Sequence, residues 1–386
     1  MNIKRTYKEL IVKELFKGHI ITIYGARRTG KTTLSKEILS DFSSKKTRYV
    51  SCDEPDVINA LTNKTSTELK AFIGNYDLVV IDEAQRVENI GLTLKLLVDN
   101  FPEIQIIATG SSSFDLANKI NEPLTGRHID FYIGPMSLLE MNTVHDKIEL
   151  QRLLESNILY GMYPEIATSN DNKNKDKILN RIITDYLFKD LFTYNGIRNS
   201  KLLQDLTQML ALNIGNVISY DSLAKKLKTS RQTIENYINL LEKAFIVFRV
   251  TPFHTNKAKE IIKQHKIYFF DTGIRNALLG NFDPLSLRVD SGGLFENFVF
   301  AEFAKFEHPT FLDRPQFWRT TDKTEVDYIK ASADSSKIHA IEIKLSENKS
   351  PKKPPLAFSN AYPNATFESI NEKNVIEYFL KKKLLN

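Results

Sequence analysis

The sequence predicts an α/β protein whose N-terminal part is a parallel sheet covered by helices. A helical stretch should follow, then two short helices with two strands, then a second, smaller α/β region. Two observations carry the first part. From Ile20 to about Ile133, apolar β-branched runs alternate with helical stretches, the pattern of a sheet covered on both faces. The first of these runs, His19–Tyr24, leads straight into Gly25-Ala-Arg-Arg-Thr-Gly-Lys-Thr32, a glycine-bounded turn at the mouth of a helix.

The spacing Gly25-x-x-x-x-Gly30-Lys31-Thr32 is that of a phosphate-binding loop. Gly25 and Gly30 let the backbone turn tightly, so that the N–H groups of Ala26, Arg27, Arg28 and Thr29 can point at anionic phosphates. Lys31 is expected to reach the β- and γ-phosphates of ATP, and the Thr32 hydroxyl to ligate Mg²⁺. Thr33 lies in the first turn of a helix expected over roughly Thr32 to Leu39, whose positive end faces the same phosphates.

Downstream, Tyr76-Asp-Leu-Val-Val-Ile-Asp-Glu-Ala84 is an apolar run ending in two acids, the shape of a Walker B strand. Asp82 is expected to hold Mg²⁺ through water, and Glu83 to orient or deprotonate the attacking water. A third strand, from Ile104 to Ser113, ends in hydroxyls, and Thr109 and Ser111 are candidates to sense the γ-phosphate; a serine-rich turn is the alternative. Arg127, just before the strand Phe131–Ile133, is a candidate arginine finger toward a neighbouring subunit, against the plainer reading of an exposed loop arginine. Asp53 and Glu54 close the strand Arg48–Cys52 and are weaker candidates to face the metal.

At 386 residues the chain has room for two or three domains. Its first residues, Met1–Glu9, are charged and lack the apolar core of a signal peptide, and no apolar run approaches the roughly 18 to 20 residues needed to span a bilayer. A cytoplasmic protein with no membrane partner is expected. The lone cysteine, Cys52, excludes an internal disulfide framework and a cysteine-rich zinc site.

The net charge of +6 is unevenly placed. Between Ser222 and Phe270 the bases Lys225, Lys226, Lys228, Arg231, Lys243, Arg249, Lys257, Lys259, Lys263 and Lys266 face only Glu235, Glu242 and Glu260. A local basic patch points to a polyanion, although solvated lysine faces are common. Before it, Glu149–Leu159 and Lys177–Phe192 read as helices, with Ile178, Ile182, Tyr186 and Leu187 on one face and Asn170–Asp176 as the loop between. These helices are expected to form a lid over the nucleotide.

The basic stretch also has the spacing of a helix-turn-helix. Ile218–Leu227 begins with capping residues and places Leu223, Ala224 and Leu227 on one face. Lys228-Thr-Ser230 is a short turn, and Arg231–Lys243 turns Ile234, Tyr237, Ile238 and Leu241 inward. The strands Phe245–Val250 and Lys266–Phe270 follow, as a wing would. Arg231, Gln232, Thr233 and Asn236 are then placed for DNA contact, with a protein partner as the alternative.

In the C-terminal third, Leu294–Glu302 reads as a helix with Glu296 near its start. Phe317–Thr321 and Glu325–Ile329 read as a strand pair, and a polar turn at Ser332–Ser336 leads into Ile338–Lys344. Strand periodicity puts Glu342 and Lys344 on one face, beside Asp327 on the adjacent strand. This constellation suits metal-dependent phosphodiester hydrolysis: Asp327 and Glu342 on Mg²⁺, Glu296 on the same or a second ion, and Lys344 on the attacking water or the phosphate. Glu325 shares the face of Asp327, so their roles are interchangeable at this level. A half-exposed strand with a wet Glu and Lys is the alternative.

Taken together, the chain resembles the bacterial and archaeal AAA-type ATPases that carry a C-terminal domain of formerly unknown function. The resemblance rests on Gly25–Thr32, Val79–Ala84, Thr109–Ser113, Leu124–Arg127, Gly161–Glu165, Phe269–Gly273, Leu294–Glu296, Glu325–Asp327 and Glu342–Lys344. Met162 stands where relatives often have a second glycine, and the lid helices show no clear arginine for a second nucleotide sensor. The resemblance implies ATP hydrolysis with Mg²⁺, homo-oligomers, DNA partners, and a winged helix followed by a PD-(D/E)xK nuclease-like fold. The expected division is a P-loop domain over 1–140, a helical lid or linker over 141–205, a winged helix over 206–284 and a nuclease-like domain over 285–386. The leading expectation is an ATPase that drives DNA binding or processing. Its alternative is an ATP-dependent switch with an inactive C-terminal interaction domain; a kinase is a third, weaker reading.

Overall fold

The computed structural model describes residues 3–111, 124–169, 171–184, 199–253, 265–307, 315–332 and 336–381. Of the residues singled out above, Ser112, Ser113, Asn170, Tyr186, Leu187, Lys257, Lys259, Glu260 and Lys263 lie outside the described residues. The chain forms two compact units: Met1–Gly134 with Lys243–Phe245, and Pro135–Glu242 with Ile246–Asn386.

The first unit is built on five parallel strands: β1 (Ile20–Tyr24), β2 (Thr47–Ser51), β3 (Leu78–Asp82), β4 (Gln105–Gly110) and β5 (His128–Tyr132). Their order is β2-β3-β4-β1-β5. Strands β1, β3 and β4 are buried along their whole length, which is why their sequences are continuous apolar runs rather than alternating ones. Ile21, Ile23, Leu78, Val80 and Ile107 pack with Leu34 and Ile38 of the helix Lys31–Asp41 and with Tyr7 and Ile11 of the helix Tyr7–Glu14. Because β4 runs between β1 and β3, the C-terminal ends of these three strands lie side by side. The loop Gly25–Thr32, Asp82, Glu83 and Thr109 all hang on that edge.

The second unit contains one mixed sheet of seven strands: β6 (Val217–Ile218), β7 (Val247–Pro252), β8 (His265–Phe269), β9 (Gln316–Arg319), β10 (Glu325–Ala331), β11 (Ile338–Ile343) and β12 (Thr366–Ile370). The order is β12-β11-β10-β9-β7-β8-β6. Strands β7 and β9 pair in parallel, Thr251 with Gln316 and Pro252 with Phe317. Residues 206–284 and 285–386 therefore share one sheet and one compact unit instead of standing apart.

The helices expected as a lid also belong to this unit. Lys147–Tyr160 packs against Thr272–Leu279, where Asn276 Nδ2 donates to the Leu159 carbonyl at 2.8 Å. The polar run expected as a loop at Asn170–Asp176 is helical from Asn172. Asp171 caps it by accepting from Lys173 N at 3.0 Å, and buried Ile178 and Leu179 hold the helix down. Composition alone read that run as loop; a cap followed by apolar anchors outweighs it.

Two segments of the resemblance meet here. Asp271 accepts from Met162 N at 2.8 Å and from Ile274 N at 3.1 Å. A Cβ at Gly273 would stand 1.9 Å from the Tyr160 carbonyl oxygen, so only glycine permits this approach. Both segments act as packing. Among the described residues, no helix is long and apolar enough to cross a membrane.

Candidate functional site

The loop after β1 has the form its glycines predict. A Cβ at Gly25 would lie 2.0 Å from the Ile133 carbonyl oxygen, so the residue must be glycine for the loop to sit against the chain leaving β5. Gly30 (φ 93°) precedes the helix Lys31–Asp41, and Thr29 Oγ1 donates to the Ala26 carbonyl at 2.8 Å. Lys31 is buried, and its ammonium lies over the loop, donating to the Gly25 and Ala26 carbonyls at 2.9 Å each.

Asp82, at the end of β3, is the hub. Its Oδ2 accepts from Thr32 Oγ1 at 2.8 Å and from Tyr49 OH at 2.5 Å, and its Oδ1 accepts from Thr109 Oγ1. Thr109 Oγ1 also accepts from Glu83 N at 3.2 Å. One hydroxyl at the end of β4 therefore engages both acids. Glu83 has left-handed backbone (φ 53°), uncommon for a residue with a side chain and typical of functional turns. Burial and then Asp82 raise the Tyr49 phenol, which stays a donor, and the same two causes push Cys52 up to about 12.

One expectation changes at this edge. Asp53 is exposed and paired with Arg86 at 2.9 Å, and Glu54 is exposed at the start of the helix Pro55–Leu61, so neither faces the metal position. Ser111 accepts from Gln85 Nε2 at 3.0 Å. Arg127 precedes β5, and its carbonyl accepts from Ile20 N at 2.8 Å, level with the start of β1. The loop follows the end of β1, about 17 Å away at the usual rise for five residues. Arg127 thus lies at the opposite edge of its own sheet, where it pairs with Asp99 at 2.6 Å.

The second unit gathers the C-terminal acids. Ligand oxygens of Glu296, Glu325 and Asp327 lie within 4.8 Å of one another. Asp327 Oδ2 accepts from Ile343 N at 2.8 Å and from Lys344 Nζ at 3.1 Å; Lys344 also meets Glu342 at 2.6 Å. The cluster contains a residue the sequence placed elsewhere. Lys266, buried on β8, bonds Glu296 at 2.9 Å and Glu325 at 2.5 Å. Tyr268, two residues along the same strand, donates to Glu296 as well.

Burial raises the Glu296 carboxyl to about 7, with Lys266 opposing and Asp327 adding. Burial raises Glu342 too, helped by Asp327 and resisted by Lys344. Burial disfavours charge on Lys344, but Asp327 and Glu342 outweigh it and carry that ammonium up to about 12.

Among the described residues, two bases of the expected basic patch turn inward. Lys266 is inside the acid cluster, and Arg249 is buried against Glu242 at 2.8 Å and Asn239. Lys225, Lys226, Lys228, Arg231 and Lys243 remain exposed, on or beside the helices Tyr220–Lys226 and Arg231–Lys243. Ser230 caps the second helix through Thr233 N at 3.0 Å, and Gln232 and Asn236 lie exposed near its start.

Matches to known families divide the chain in three, splitting the second unit near residue 285. Residues 17–142 match the family described as "AAA domain". The first unit thus holds most of the stretch that is similar to an AAA domain. Beyond that stretch, residues 151–285 and 291–375 match two families each described as a domain of unknown function, DUF8612 and DUF4143. An uncharacterized protein of Mycobacterium tuberculosis is 28% identical over 324 residues, covering 83% of this chain and 69% of its own length. One of Methanocaldococcus jannaschii is 29% identical over 311 residues, covering 76% and 68%. Among solved structures, a Walker-type ATPase of Pyrococcus abyssi is similar with a TM-score of 0.51 at 15% identity, over 72% of this chain and 96% of that one. At that identity the likeness speaks for the fold.

Sequence reasoning missed Tyr49 and Gln85 in the first unit and Lys266 and Tyr268 in the second. A signal existed for the last two: period two along His265–Phe269 puts them on one face. A strand lysine reads as solvent-facing, however, and only the fold reveals the acids opposite it.

Proposed function

We propose that this protein is a Mg²⁺-dependent ATPase whose nucleotide cycle governs engagement of DNA by its second unit. The observation that carries the reading is the position of Asp82, hydrogen-bonded at once to Thr32 of the loop helix and Thr109 of β4. Hydroxyl and carboxylate oxygens are hard donors suited to Mg²⁺, so Thr32 and Asp82 are the residues that would hold the ion. Bound there, it would neutralise charge on the phosphates. Lys31 would exchange its loop carbonyls for the β- and γ-phosphates, the loop N–H groups from Ala26 to Thr33 would hold their oxygens, and Glu83 would orient the attacking water. Arg127, remote from its own loop, would act on a neighbouring copy.

DNA contact is assigned to Arg231, Gln232, Thr233 and Asn236, flanked by exposed lysines in the manner of a winged helix. The test measures ATP turnover and the anisotropy of a labelled duplex side by side. Lys31→Ala should abolish turnover, Glu83→Gln should keep nucleotide binding but lose hydrolysis, and Arg231→Ala/Gln232→Ala should weaken DNA binding alone. Duplex affinity identical with and without ATP would refute the coupling.

One observation favours a second reading for the acid cluster. The constellation in the sequence suits a metal among Glu296, Asp327 and Glu342, but Lys266 already neutralises Glu296 and Glu325 from within. An ammonium at that place does not fit a divalent ion on the same oxygens. In this reading the second unit is catalytically silent, and the protein is a nucleotide-driven switch. Incubation with supercoiled, linear and branched DNA and Mg²⁺, beside a Glu342→Ala/Lys344→Ala control, decides it: cleavage lost in the control would sink the silent reading.

A further inference from the structure

We infer that Gln85 is a positioning residue of the hydrolytic step, tying the Glu83 carboxylate to the end of β4. The inference rests on the ATPase reading above and adds to it the group that fixes where Glu83 points.

Glu83 leaves β3 in left-handed backbone and opens a single 3₁₀ turn, Ala84–Arg86. That turn brings the side chains of residues 83 and 85 together. Gln85 Nε2 donates to Glu83 Oε2 and, at 3.0 Å, to Ser111 Oγ. A carboxylate only accepts, so the identity of the partner fixes which end of the amide faces it, and the two hydrogens on one nitrogen serve both contacts. Gln85 and Ser111 are each only 8% exposed, so water does not readily replace either bond once it is lost.

The consequence concerns β4. Thr109 holds Asp82 and the Glu83 backbone; Ser111, two residues on, holds the Glu83 carboxylate through Gln85. Both acids of the Walker B strand are thus referenced to one neighbouring strand end. With Oε2 committed to Gln85, the attacking water is taken by Oε1, and the amide sets its line of approach. Misplacement of a reacting group by about 1 Å can cost a hundredfold in rate.

The experiment is steady-state ATP hydrolysis by the full chain, with nucleotide affinity measured separately by a fluorescent ATP analogue. Gln85→Ala should lower kcat by about 10- to 100-fold, while KM and analogue affinity stay within about twofold. Gln85→Glu keeps the size of the side chain but removes the donor, so it should lose as much; it also serves if the alanine variant folds poorly. Gln85→Ala/Ser111→Ala should be no slower than Gln85→Ala, because one link is cut once.

Unchanged or faster turnover in Gln85→Ala would overturn the inference, as would a loss of nucleotide affinity that parallels kcat. Glu83→Gln separates the two levels. If it is inactive while Gln85→Ala matches the wild type, only the positioning role fails. If the wild type turns over no ATP, or Glu83→Gln is fully active, the ATPase reading fails with it.

Discussion

Tyr49 on β2 donates its phenol hydroxyl to Oδ2 of Asp82 on β3, the same oxygen that accepts from Thr32. Asp82 pairs in register with Ser51, so the tyrosine reaches it from two residues further down the neighbouring strand. Such an outer partner fixes the orientation of a metal-holding carboxylate. Tyr49→Phe should raise the Mg²⁺ concentration that half-saturates turnover by about tenfold, with nucleotide binding in EDTA unchanged. A titration superimposable on the wild type would show that Thr32 and Thr109 orient Asp82 without help.

Gly25 and Gly30 bound the same loop for different reasons. A Cβ at Gly25 collides with the Ile133 carbonyl at 2.0 Å, whereas a Cβ at Gly30 meets nothing within 4 Å. Gly25→Ala should therefore cost more than about 3 kcal/mol of stability. Gly30→Ala should cost about 1–3 kcal/mol for its left-handed backbone, leaving a folded domain. Urea unfolding of the two variants separates them; equal midpoints would refute the steric argument.

Arg127 should be tested by mixing. Its place at the start of β5, opposite the loop, means that it serves another copy or none. Arg127→Ala retains a loop, and Lys31→Ala retains an arginine, so each alone should be nearly inactive while a mixture regains turnover. An arginine finger contributes about 10³- to 10⁵-fold, so restoration should be plain. No recovery at any ratio would leave Arg127 as the surface partner of Asp99.

The contrast between the two units shows what a sequence can disclose. The meeting of the loop with Asp82, Glu83 and Thr109 was legible because each follows directly from a strand end, and β1, β3 and β4 end side by side. Local runs were enough. The second unit depends on pairings that no local run contains. The parallel contact of β7 with β9 joins segments more than sixty residues apart in sequence, and it converts two expected domains into one sheet. Lys266 illustrates the cost: its neighbours in sequence mark it as part of a basic surface, and its neighbours in space are Glu296 and Glu325. The helix Asn172–Arg181 is a different case, since its cap Asp171 and its anchors Ile178 and Leu179 lie in the local run and only the polar composition masked them.

The Lys266 cluster makes the stability of the second unit depend on pH in a definite direction. Glu296 has an ordinary value of 4.5 and is raised to about 7 by burial, so the folded chain holds this proton where the unfolded chain has released it. The stabilisation is complete below about pH 4.5 and is lost as pH rises through about 7. Trp318, the only tryptophan of the chain, is buried on β9 and reports on this unit alone. Its fluorescence in urea should give a midpoint that falls between pH 5 and pH 7.5, and Glu296→Gln should flatten that slope. Lys266→Met leaves the carboxylates without their buried partner and should lose about 3–5 kcal/mol at pH 8. Much of that loss should return at pH 5, where Glu296 is protonated. Mn²⁺ should then stabilise Lys266→Met, whose acids stand open, but not the wild type. A rise of the wild-type Trp318 transition with Mn²⁺ would instead mean that the ion displaces the ammonium, and the acid cluster would regain its standing as a metal centre.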